Sequence, residues 1–229
     1  MDFYISVSHY ILSPAIAVCL ALFIVVLTKG EICPGQRGRL HKQLISVLVL
    51  LLALVLSNPL LLVPALCLGW FVSQTKRGKT RVEGPIWALC MASATAIITS
   101  IIAVEFTSTI QLSFELLVSV LLGAGITHLL MTLARTRLQA FHSILPIAGV
   151  ISVMLLVLIV LLQSYSYLQG QTEQVVSVIV QAFPVLLIGS VISCWHLFRS
   201  IKPTSIQLLI SSLAHLTACY LLLPIIYPI

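Results

Sequence analysis

Glu115 and His128 share one apolar run, residues 112–134, and His215 lies in another, residues 205–227. Glu105 closes the preceding run, 86–104. An ionised acid at the centre of a membrane helix costs about 3 kcal/mol, so such a group turns toward protein or water and marks a route for protons or ions. Glu115 sits about one turn inside its run, with Gln111 and Ser119 one helical turn to either side. It is the leading candidate to carry a proton or cation, and Glu105 is the shallower one. His128 is about 9 Å from the end of its run and His215 about 15 Å from the start of its own, by helical rise. Those depths leave two readings open: packing groups that hydrogen-bond, or a pair bridging one b-type haem. His9, His142 and His196 fall near run ends, where solvation would satisfy them.

Other chemistry is scarce. Asp occurs once, at Asp2, so paired Asp metal motifs are missing, and neither HExxH nor a Gly-rich phosphate loop occurs. No catalytic residue and no metal ligand can be nominated. The six cysteines are scattered without CxxC or Cys–His spacing, and all but Cys33 lie in apolar runs, where Cys acts as a small hydrophobe.

The elements that must hold these groups are membrane helices. The 229 residues are 60% hydrophobic and only 8% charged, with a mean hydropathy of +1.16. Soluble domains carry roughly 25% charged residues. Apolar runs fall at 4–28, 44–73, 86–104, 112–134, 143–163, 175–198 and 205–227. They are continuous rather than alternating, and a helix satisfies its own backbone in lipid. The fold class is therefore all-α, a polytopic membrane helix bundle forming a single domain over 1–229. The first run is too long for a signal-peptide core and is expected to be retained. Alanines at 88, 92 and 96, and the row Ser119, Gly123, Thr127, mark faces where helices approach closely. Pro184 is expected to kink its helix.

Lys and Arg fall in four clusters, at 29–42, 76–81, 135–137 and 199–202, and are absent from 105–111, 164–174 and both ends. Positive charge stays on the cytoplasmic side, which places the basic loops inside and both termini outside. Run 44–73 has basic loops on both flanks, so it must enter and return, turning at Asn58-Pro59. Each arm has only about 14 residues, or roughly 21 Å of helix, which fits two short spans or a re-entrant pair. The expected total is eight membrane segments, six full spans plus this hairpin. Lys76, Arg77, Lys79 and Arg81 are suited to anionic lipid headgroups or to an acidic face of a cytoplasmic partner.

The segment AVEFTSTIQLSFELLVSVLLGAG, residues 103–125, resembles a helix in antiporter-like subunits of respiratory complex I and of multisubunit cation/proton antiporters. The likeness covers about a tenth of the chain by residue count and centres on Phe114-Glu115-Leu116. It implies that Glu115 takes part in proton translocation, although this chain has no intramembrane Lys to partner it. The function expected is a noncatalytic membrane subunit of a larger inner-membrane complex, moving protons or cations and coupled to redox chemistry in its partners. Its partners would be other membrane subunits and anionic lipids, not nucleic acid. The alternatives are a self-contained small-molecule or ion permease and a haem-bearing membrane anchor; the leading reading needs no cofactor.

Overall fold

The computed structural model describes residues 2–76, 78, 80, 82–103, 108–167, 172–199 and 201–227. Seven helices among them are long and apolar enough to cross a membrane: α1 (Phe3–Lys29), α2 (Pro34–Val55), α4 (Ile86–Ala103), α5 (Thr109–Leu133), α6 (Gln139–Tyr167), α7 (Thr172–Arg199) and α8 (Ser205–Ile226). An eighth, α3 (Pro59–Gln74), is apolar but shorter. Helix starts follow local chemistry. Pro34 occupies the first turn of α2, while Ser108 and Thr204 cap α5 and α8 by accepting from the backbone N–H groups of Gln111 and Gln207.

The segment expected to enter and return does so. His41 Nδ1 lies 3.4 Å from the Lys76 carbonyl, and a Cβ on Gly69 would lie 4.0 Å from the Leu48 side chain. Both pairs centre on Asn58-Pro59, which fixes an antiparallel hairpin turning there. The arms are unequal, however. α2 begins ten residues earlier than hydropathy marks it, taking Arg37, Arg39 and Lys42 into its first turns rather than into a loop. Its 22 residues reach about 33 Å, enough to cross, whereas the 16 residues of α3 reach about 24 Å. Hydropathy detects only the lipid-buried part of a helix, and α2 extends beyond it. The turn is pinned to α1: Tyr4 donates to the Ala53 carbonyl, the Ser8 and Ser57 hydroxyls bond each other, and His9 Nε2 lies 3.2 Å from the Ser57 carbonyl. Ser8 and His9 belong to a π-helical turn, Ser8–Leu12, which rotates these side chains toward the hairpin.

The Asn58 side chain accepts from Leu60 N at 3.1 Å, capping the turn that opens α3. Asn58→Ala should therefore lower stability by about 1 kcal/mol. Thermal unfolding in detergent would show it; an unchanged midpoint would mean that the cap adds nothing.

Both chain ends meet at one end of the bundle, where Phe3 packs edge-on against Tyr220 and Tyr10 lies against Tyr227. Lys29, Lys76, Arg135 and Arg199 lie at the opposite end. α1 and α5 run side by side through the middle. In each half the first helix packs on the fourth, the fourth on the third and the third on the second: α1, α4, α3, α2, then α5, α8, α7, α6; in the second half α5 also packs along α6, a contact that α1 and α2 scarcely make. The halves differ inside. Phe23, Leu44, Leu68 and Phe71 fill the first with apolar side chains. Buried polar groups occur in both halves, and the second holds Glu115, His128, His196 and His215. Pro146 and Pro184 both lie within uninterrupted helices.

Candidate functional site

The register of α5 against α8 places each candidate. Gln111 Nε2 donates to the Ile226 carbonyl at 3.3 Å, and a Cβ on Gly125 would lie 3.4 Å from Ser212 Oγ. Paired residue numbers sum to the same value at both points, so the helices are antiparallel and His215 stands level with residue 122. By helical rise, Ser119 is about 6 Å below Glu115, His215 about 10 Å below it and His128 about 20 Å below it.

At the end shared by the chain termini, Glu115 is only 5% exposed, and its Oε2 has no hydrogen-bond partner among the described residues. Solvation at the interface, which its position in the sequence allowed, is thus removed. The Tyr227 ring packs tilted against Tyr10 with centroids 4.2 Å apart, and its buried hydroxyl also lacks a partner among the described residues. Burial pushes the Tyr227 phenol well above the usual phenol range, and the field of Glu115 adds to this, so it remains a neutral donor.

Below this pair a cleft opens between α5, α6, α7 and α8. His128 and His215 line it with Ser190, Ser193, Ser211 and Ser212. It measures about 360 Å³ out to its mouth, but the centre of a water can occupy only about 10 Å³ of it. That is the room one water needs. His215 Nε2 lies 3.2 Å from Ser190 Oγ, and a Cβ on Gly189 would come within 2.9 Å of its ring, so the glycine makes room for the imidazole. His128 Nε2 is held at 3.1 Å by His142 Nδ1. The two histidines do share a cleft, but both Nε2 atoms are engaged and the space between suits a water.

At the basic end His128, His142 and His196 converge, with the His128 ring 5.2 Å and 5.3 Å from the other two. The end of α5 shapes this corner. Arg135 adopts φ 51°, at a cost of about 1–2 kcal/mol for a residue with a side chain. Arg135 N then bonds the Thr132 carbonyl and Thr136 N the Met131 carbonyl, the double closure of a Schellman end. Arg39 Nε, 2.7 Å from the Ala134 carbonyl, secures it. The closure brings Thr136 to His142. Among the described residues no group of three His, Cys, Asp or Glu has a geometry that could hold a metal ion.

A family model described as an integral membrane domain matches residues 2–226. The chain belongs to that family. It is also similar to an uncharacterized protein of Haemophilus influenzae, 29% identical over 150 residues that make up 61% of this chain and 56% of the relative. The chain thus spans just over half the length of that relative. No solved structure matches.

This integral membrane domain departs from the sequence reading at two histidines. His142 and His196 were expected at a solvated boundary, yet His196 is buried and bonds the His142 carbonyl at 3.2 Å. The signal was their shared depth near the basic ends of their runs. Glu105, Arg77, Lys79 and Arg81 lie outside the described residues. Lys76 is exposed, and its carbonyl meets His41. Asn58 and Pro59 form the hairpin turn and touch none of the file from Glu115 to His128.

Proposed function

We propose that this chain is a noncatalytic membrane subunit of a larger inner-membrane complex and that protons, or cations exchanging with them, move along the α5–α8 seam. One observation carries the reading: Glu115, Ser119 and His128 are buried along α5, with His215 of α8 standing level with the stretch between them. Glu115 would take the proton at the end where the termini meet, and the imidazoles would pass it on through the single-water cleft. The likeness of residues 103–125 to antiporter-like subunits supports the same carboxyl. The basic loops, Lys76 among them, would face the cytoplasm and contact anionic lipid or a partner.

The native preparation in liposomes, with a pH dye inside and an imposed potential, should acidify the lumen and hold stoichiometric partner subunits, while the chain alone should give little flux. Full activity from the chain alone would transfer the reading to a self-contained permease; no flux from either preparation would end it. Orientation has its own test in a background lacking Cys33. A cysteine at Thr109 should react with an impermeant thiol reagent from outside intact cells, and one at Gly78 should not. Labelling of Gly78 would invert the topology.

A further inference from the structure

Building on the proton reading of the α5–α8 file, we infer that its last stage is an imidazole relay from His128 through His142 to Thr136, ending at the basic face. Hydrogen-bond geometry fixes the tautomers. His142 Nε2 lies 3.3 Å from the Thr136 carbonyl, and a carbonyl only accepts, so Nε2 carries the hydrogen. The neutral ring then has a bare Nδ1. His128 Nε2, 3.1 Å away, must be the donor to it. By the same rule His128 keeps a bare Nδ1, on a ring that lines the cleft. The two imidazoles therefore point their N–H bonds the same way, from the cleft toward the basic end.

Such a chain moves a proton without moving a carrier. A proton binds His128 Nδ1, and the Nε2 proton of His128 passes to His142 Nδ1. The Nε2 proton of His142 then leaves to water beside Thr136, whose hydroxyl also stands 3.3 Å from that nitrogen. One proton enters and one departs, and no other bond changes. Each ring then turns so that both its nitrogens meet water on one side, the cleft for His128 and the basic face for His142, and there trades its Nδ1 hydrogen for one at Nε2, so the reset carries no proton back. His142 is half-buried, so it can exchange with solvent, whereas His128 is 1% exposed and cannot do so alone. His196 donates from Nε2 to the His142 carbonyl and walls the other side of the His128 ring. It is a positioning residue.

The test is proton flux into liposomes from the purified protein with whatever partners it retains. His142→Ala should lower flux about a hundredfold, the usual contribution of a positioned proton-transfer group. Added imidazole, which can reach the half-exposed site, should restore most of it. Wild-type flux from His142→Ala while Glu115→Gln has lost it would overturn the relay and leave the file standing. Equal flux from Glu115→Gln and wild type would remove the file, and the relay with it. A folded His142→Ala protein that imidazole cannot rescue would show a structural role only. Should His142→Ala not fold, nitrogen-15 NMR of the unaltered protein decides: an Nε2–H tautomer at His142 is expected, and an Nδ1–H tautomer would exclude the relay.

Discussion

Glu115→Gln is expected to leave the bundle intact and to cut proton flux by about a hundredfold, the scale on which a positioned proton-transfer group contributes. Gln has the shape of Glu but does not titrate. Among the described residues the Glu115 Oε2 is buried without a partner. An unsatisfied buried polar atom costs about 1–3 kcal/mol, and more when charged. A neutral amide carries no charge to strip of water, so stability should stay level or rise. Flux and unfolding must be measured on the same preparation. A variant that melts like the wild type and conducts like it makes the carboxyl structural. One that melts lower and assembles poorly would show that the carboxyl holds α5 against the end of α8.

The largest loss of stability is expected at Gly123. A Cβ there would lie 2.8 Å from the Ala15 carbonyl oxygen and 2.8 Å from Val18 Cβ, on the seam where α1 and α5 run together. The backbone of α1 cannot swing aside like the end of a long side chain, so the two helices must separate. Gly123→Ala should cost about 2–3 kcal/mol as overpacking, and Gly123→Val more. Gly35→Ala supplies the opposite sign: none of the described residues lies within 4 Å of its Cβ position in the first turn of α2, and Ala exceeds Gly in helix propensity by about 1 kcal/mol. Unfolding midpoints in detergent measure both. A Gly123→Ala midpoint at or above that of the wild type would show that the seam is slack.

The reversal at Asn58-Pro59 was legible because four basic residues stand on each flank and only a turn keeps both flanks on one side. Helix number followed from hydropathy for the same reason, since lipid punishes every exposed backbone polar group. What hydropathy could not report is structure beyond the lipid. The first turns of α2, with Arg37 and Arg39, read as loop because their side chains are polar, although Pro34 starts a helix there. Glu115 was legible as the leading carboxyl, but its burial was not. The cover comes from Tyr227 and the end of α8, more than a hundred positions away in the chain. The His128–His142–His196 corner required three helices to meet, and the Schellman end that admits Thr136 runs through a left-handed Arg135 that no glycine announces. The repeated order of neighbours in the two halves has no counterpart in a visible sequence repeat, because many apolar sequences satisfy one packing order.

The short arm α3 has a consequence for the lipid around this protein. Leu60, Leu62, Val63, Leu66 and Trp70 are exposed along it, so it lies on the perimeter and meets acyl chains directly. Its span of about 24 Å falls short of the roughly 30 Å hydrocarbon thickness, which the 22-residue α2 beside it covers at about 33 Å. Lipids on that flank must compress, at a fraction of a kcal/mol for each ångström of shortfall. The annulus is therefore lopsided, thin beside the hairpin and of ordinary depth beside α6 and α7. Shorter or less ordered acyl chains would gather on one side, giving the molecule a preferred heading among its neighbours in the bilayer.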